Sequence, residues 1–128
     1  MNLIEQIALH LQFCGLGAVS TKEAHGDIYW GRMPDEPDQC ICVFSTDTGT
    51  PGANGNPARI QIMTRSKSTK WAYTKACEIA GEFDRFNGFL AGDGPQVITD
   101  VINSGAGLGA DAKKRELYST NIYCRYCG

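Results

Sequence analysis

Residues 59–88 read RIQIMTRSKSTKWAYTKACEIAGEFDRFNG, and within that stretch the apolar period changes from two to about 3.6. From Arg59 to Arg65, Ile60 and Ile62 fall on one side and Gln61 and Met63 on the other, which is the alternation of a strand. Ser66 or Ser68 then supplies a cap. Beyond it Ala72, Ala76, Ile79, Ala80 and Phe83 recur at the spacing of one buried helical stripe. The helix is expected to run to about Phe86, where Asn87 and Gly88 stop it. Three alanines in the stripe let it lie close on a sheet, while Lys75, Glu78, Glu82, Asp84 and Arg85 form a solvated, mixed-charge face.

Outward from this strand–helix unit, the N-terminal side opens with Asn2 and Glu5 in the spacing of a capping box. Leu3, Ile4, Ile7, Ala8 and Leu11 follow at helical spacing, and Gly15 stands where a C-terminal cap belongs, so a first helix is predicted over 3–13. A short strand is expected from Asp27 to Gly31. Arg32 to Asp38 holds two prolines and three acids and cannot be a central strand. Gln39 to Ser45 is apolar on both faces, as suits a strand covered on both sides. Thr46 to Ala58 is glycine, proline, asparagine and threonine with little to bury, a loop long enough to be functional or disordered.

On the C-terminal side, Gln96 to Asn103 and Glu116 to Arg125 read as two strands of a hairpin, joined by a glycine-rich loop at Ser104 to Lys114. The order helix, strand, strand, strand, helix, strand, strand gives an α+β fold. The expected architecture is a mostly antiparallel sheet of four to five strands with two helices packed against it, all in one domain over 1–128.

Composition narrows the function. The 128 residues are 42% hydrophobic and 20% charged, with a formal charge of −2, so the chain should fold and carries no basic footprint for nucleic acid. The first residues lack a positive n-region and Glu5 interrupts them, so no signal peptide is expected. No apolar run reaches membrane-spanning length. Without secretion, free thiols are the default for the six cysteines, Cys14, Cys40, Cys42, Cys77, Cys124 and Cys127.

Candidate chemistry is sparse. Gly105, Gly107 and Gly109 follow a strand like a fragment of a phosphate loop, but no helix start follows them, and a flexible hairpin connection is the better reading. Cys40, Cys42, Cys124 and Cys127 would make a four-thiolate zinc site if their strands met at one end. Against it, the first pair projects from a strand rather than a knuckle; packed or exposed free thiols are favoured, and no metal site is assigned. His10 and His25 have no ligand spacing, and His10 is expected at the surface or its boundary. Asp35, Glu36 and Asp38 lack the pattern of a calcium loop and read as a solvated acidic turn. No catalytic constellation is present to propose, and no cofactor is called for.

Three stretches carry a resemblance. The first is Ile28 to Asp38, with Gly31, Pro34, Pro37 and Asp38. The second is Gln61, Ile62 and Arg65 in the strand before the second helix. The third is Gly109, Asp111 and Arg115 followed by Tyr118, Ser119 and Asn121. Their order, from about residue 28 to 125, resembles the minor capsid and tail-completion (tail terminator) proteins of long-tailed phages and prophages. The resemblance implies a non-enzymatic virion subunit made in the bacterial host cytoplasm. It further implies a ring, commonly a hexamer, at the head-proximal end of the tail, touching tail tube protein on one side and a head-closure or connector protein on the other. Neither a membrane nor specific nucleic-acid binding is implied. The expected binding elements are the loop at 46–58, the loop at 104–114 and an exposed strand edge.

Overall fold

The computed structural model describes residues 2–45 and 57–127. Its elements are α1 (Leu3–Phe13), β1 (Ile28–Trp30), β2 (Cys40–Ser45), β3 (Ala58–Ser66), α2 (Thr69–Phe83), β4 (Phe86–Phe89), a 3-10 turn at Leu90–Gly92, β5 (Gln96–Ala110) and β6 (Glu116–Tyr126). The α+β class is as expected, but the sheet has six strands in the order β1-β2-β3-β6-β5-β4 and is mixed. β1 pairs parallel to β2, Ile28 opposite Ile41, and the other pairings between these strands are antiparallel.

The local signals explain most boundaries. Asn2 Oδ1 accepts the Glu5 N–H at 2.8 Å, and Ser68 Oγ accepts the Trp71 N–H at 3.2 Å, so each helix starts on a side-chain cap. α2 ends at Phe83, three residues earlier than expected. Arg85 turns the chain at φ 54, and Phe86–Phe89 then pairs with Gln96–Thr99. Asn87 and Gly88 therefore sit in a strand, not in a helix stop. The expected loop at 46–58 lies outside the described residues except for its last two, and Ala58 already begins β3, buried.

Strand register sorts the sheet into two faces. Ile41 and Val43 of β2 stand beside Thr64 and Ile62 of β3, which stand beside Tyr118 and Thr120 of β6; Ile60 and Ala58 face Ile122 and Cys124. This face receives both helices, and Ile7, Leu11, Ile28, Ile41, Ile60, Ile62, Ile79, Phe83, Val97 and Ile122 close one core between them. Ala72, Ala76 and Ala80 let α2 approach closely enough for three buried threonines to bond its carbonyls. Thr64 donates to Ala72 at 2.8 Å, Thr120 to Ala76 at 3.1 Å and Thr99 to Phe83 at 2.6 Å. Each satisfies a hydroxyl that would otherwise be buried without a partner.

Candidate functional site

The hairpin is longer than its sequence suggests. Ser104 to Ala110, expected as loop, is strand: β5 pairs with β6 from Val97 opposite Tyr126 to Ala110 opposite Glu116. Register shifts fall at Val101/Asn103, Asn103/Ala106 and Gly107/Gly109, where β5 bulges against β6. Gly105 and Gly109 take φ 63 and 89 in this segment, and a Cβ on Gly105 would lie 3.1 Å from the Tyr73 ring. The glycines thus serve bulges and a close helix approach, and no phosphate loop exists there.

The far edge of this strand is largely open. β4 covers only Gln96–Thr99, so Asp100–Ala110 is paired on the β6 side alone among the described residues. Ile102 is 45% exposed and Leu108 50%. Beside the edge runs a groove lined by Ala80 and Gly81 of α2, by Asp84 just beyond its end and by Val101 to Ser104.

A clamp of two arginines holds the tip of the hairpin. Arg65 leaves β3 on the face away from the helices and is 4% exposed. It donates to the carbonyls of Pro34 at 2.7 Å, Pro37 at 2.8 Å, Asp38 at 3.3 Å and Asp35 at 3.4 Å. Arg115, equally buried, donates to Asp111 through Nε at 2.8 Å and Nη2 at 2.7 Å, to the Asp35 carbonyl, and to the Asp38 carboxylate at 3.5 Å. Asp111 Oδ1 also accepts the backbone N–H of Lys113 and Arg115, fixing the turn. Lys113 reaches Asp35 and Glu36, and Lys67 reaches Asp38.

Lys67, Lys113 and Arg115 thus pair with four carboxylates, and the acidic turn, solvated as expected at Asp35 and Glu36, is also tethered. Arg115 hydrogen bonds hold the Asp111 carboxyl down to about 2, and Lys113 lowers that of Asp35. The prolines and acids of 34–38, Arg65 of the strand motif and Asp111 and Arg115 of the hairpin motif meet at this one place. The arrangement binds main chain and charge to each other and leaves no nucleophile beside a base.

The cysteines do not converge. Cys40 and Cys42 pair with Arg65 and Met63 on the face away from the helices, whereas Cys124 pairs with Ala58 on the helix face. Ala58 and Arg65 are also seven strand steps apart, roughly 23 Å along β3. Opposite faces and opposite ends remove the four-thiolate zinc site with Cys127, and no group of three metal-ligating side chains occurs among the described residues. Burial pushes the thiols of Cys42 and Cys124 up to about 12 and raises that of Cys40, the reverse of what a nucleophilic cysteine needs.

His10 is not at the surface. It is 3% exposed, ringed by Phe13, Phe83 and Phe86, and its Nδ1 accepts the Ala91 N–H at 2.7 Å. That bond requires a neutral ring with the proton on Nε2, and burial lowers its pKa from the ordinary 6.5. Its helical position was legible; its partner, 81 residues away, was not.

Residues 10–126 match the family model described as bacteriophage tail terminator protein. The match takes in the clamp and the whole hairpin. No curated protein and no solved structure matches the chain.

Proposed function

We propose, on the premise that this chain belongs to the bacteriophage tail terminator family, that it closes the head-proximal end of the tail as a ring, commonly of six copies. The family makes it a structural protein of the phage tail. The ring, its neighbours and its place in the virion are our reading. So is the treatment of 1–128 as one domain. In it, each subunit meets tail tube protein on one side and a head-closure or connector protein on the other.

One observation carries the ring: the edge of β5 over Asp100–Ala110, unpaired among the described residues. An open edge offers a row of backbone donors and acceptors, and a neighbouring subunit can add a strand to it. The exposed Ile102 and Leu108 supply apolar contact at the same edge. The clamp supports this role, because it anchors the tip of a hairpin that would otherwise project freely. No described helix is long and apolar enough to cross a membrane.

Electron microscopy of lysate from the parent phage with this gene deleted tests the proposal. Filled heads beside separate or over-long tails are expected, and over-long tails assign termination rather than joining. Normal infectious particles would overturn it.

A further inference from the structure

We infer that the free protein pairs with a second copy of itself along the β5 edge, antiparallel and about a two-fold axis, and that ring closure has to open this pair. The irregular shape of the edge carries the inference. Fourteen residues of β5, Val97–Ala110, run beside eleven of β6, Glu116–Tyr126, and the surplus falls at the three register shifts. Ile102 and Leu108 are left without a β6 partner, and between them Ser104 and Gly105 stand against Thr120 alone. The bulges therefore sit at Val101–Ile102, Ser104–Gly105 and Gly107–Leu108, and they are symmetric about the Ser104–Gly105 bond. A regular strand laid on this edge loses register at each bulge. An antiparallel copy with its axis at that bond brings bulge against bulge and keeps register from Asp100 to Gly109.

The same axis sets large residues against small ones. Ile102 meets Gly107 of the second copy, Asn103 meets Ala106, Asp100 meets Gly109, and Val101 meets Leu108. Asp100, Asn103, Ala106 and Gly109 pair with Tyr123, Asn121, Ser119 and Leu117 of β6, all on the face away from the helices. Partners across the axis thus point the same way, as one continuous sheet requires. An axis through Gly105 would instead set Asp100 against Ala110, which is on the other face. The exposed Ile102 and Leu108 both become covered.

Charge agrees with this arrangement. At the β4 end of the edge Asp84 and Asp100 outnumber Arg85, and the second copy's turn arrives there with Lys114. None of these four forms an ion pair among the described residues. The chain's other sheet edges do not compete for the site. β4 is four residues long, and β1 is three, with its Ile28 N–H and C=O already bonded to Ala18 and Ser20. A two-fold contact is complete at two copies and propagates no ring. The pair therefore keeps a bare edge from indiscriminate pairing until a tail is there to receive the subunit.

The pairing itself does not rest on the tail reading; its consequence for assembly does. Sedimentation velocity of the purified full chain at micromolar concentration should show a dimer, and needs no variant. In a Cys77→Ser background, which removes the exposed thiol, Val101→Cys and Leu108→Cys are then oxidised separately and after mixing. Residues opposite each other lie about 5 Å apart, within disulfide reach, whereas the two copies of Val101 lie roughly 20 Å apart. A cross-linked dimer is expected from the mixture and from neither variant alone. A monomer or a hexamer in sedimentation, cross-links in either variant alone, or none in the mixture would refute the two-fold pair. Normal particles from the gene deletion would instead sink the tail-closure reading and leave the pair standing.

Discussion

Arg65 shows what one buried guanidinium does here: it satisfies four carbonyls of a segment that forms no secondary structure of its own. A hydrogen bond to a charged group contributes about 1.5–3 kcal/mol, and lysine cannot reproduce the planar fork. Arg65→Lys should therefore destabilise by about 2–4 kcal/mol in urea unfolding; a change within error would show the clamp to be ornamental. His10 gives a pH dependence of definite sign. Its folded pKa lies below 6.5 although Glu82 pulls it upward. The unfolded chain thus takes up a proton that the folded one resists, and stability falls as pH drops below 6.5. His10→Gln, which keeps an acceptor for Ala91, should flatten that limb in urea midpoints between pH 8 and 5. The separate acid limb of Asp111, lost as pH falls from its ordinary 3.8 through about 2, should survive the substitution. Arg65 and Arg115 were legible as parts of motifs, but their role was not. Arg65's acceptors are main-chain oxygens 27–31 residues away, which any sequence would offer.

Among the elements, both helices were readable because caps and stripes are local. Leu3–Phe13 agrees with the reading, and the Ala72–Phe83 stripe is the buried face of α2. β4 was hidden because Phe86–Phe89 is four residues long and carries the Asn-Gly pair that usually ends helices. β5 reads shorter in sequence than it is because glycine favours loops unless a bulge or a close neighbour demands it, and Tyr73, far from it in sequence, is that neighbour. β1 is legible in the sequence, but its parallel pairing depends on the path of 31–39, where residue-level patterns are silent. The open edge of β5 leads to a prediction at this scale. Ile102→Lys places a charge where natural sheets block edge pairing. It should leave the melting temperature nearly unchanged, a surface effect within about 0.5 kcal/mol, while abolishing self-association in sedimentation velocity. A ring that persists would move the subunit contact elsewhere.

At the scale of the whole molecule, the class was legible and the strand order was not. Period and cap signals say which segments are strands; only the packed sheet says that β3 lies beside β6. That pairing also decides which faces carry Cys40, Cys42 and Cys124, so the fate of the zinc idea rested on the same unreadable fact. Deletion from Glu116 onward should give a chain without cooperative unfolding, because β3 and β5 both lose a partner; a sharp transition in that truncation would contradict the central place of β6. The β3–β6 neighbourhood has a kinetic consequence as well. Ala58–Ser66 cannot complete its hydrogen bonding until Glu116–Tyr126 arrives, some fifty residues later in translation. The nascent chain must therefore hold a half-sheet with a sticky inner border, and final collapse awaits the closure of a long loop, on the millisecond-to-second scale of nonlocal topologies. Host chaperones would find their target in that waiting period, and overproduction should be limited by aggregation during synthesis rather than by the stability of the finished subunit.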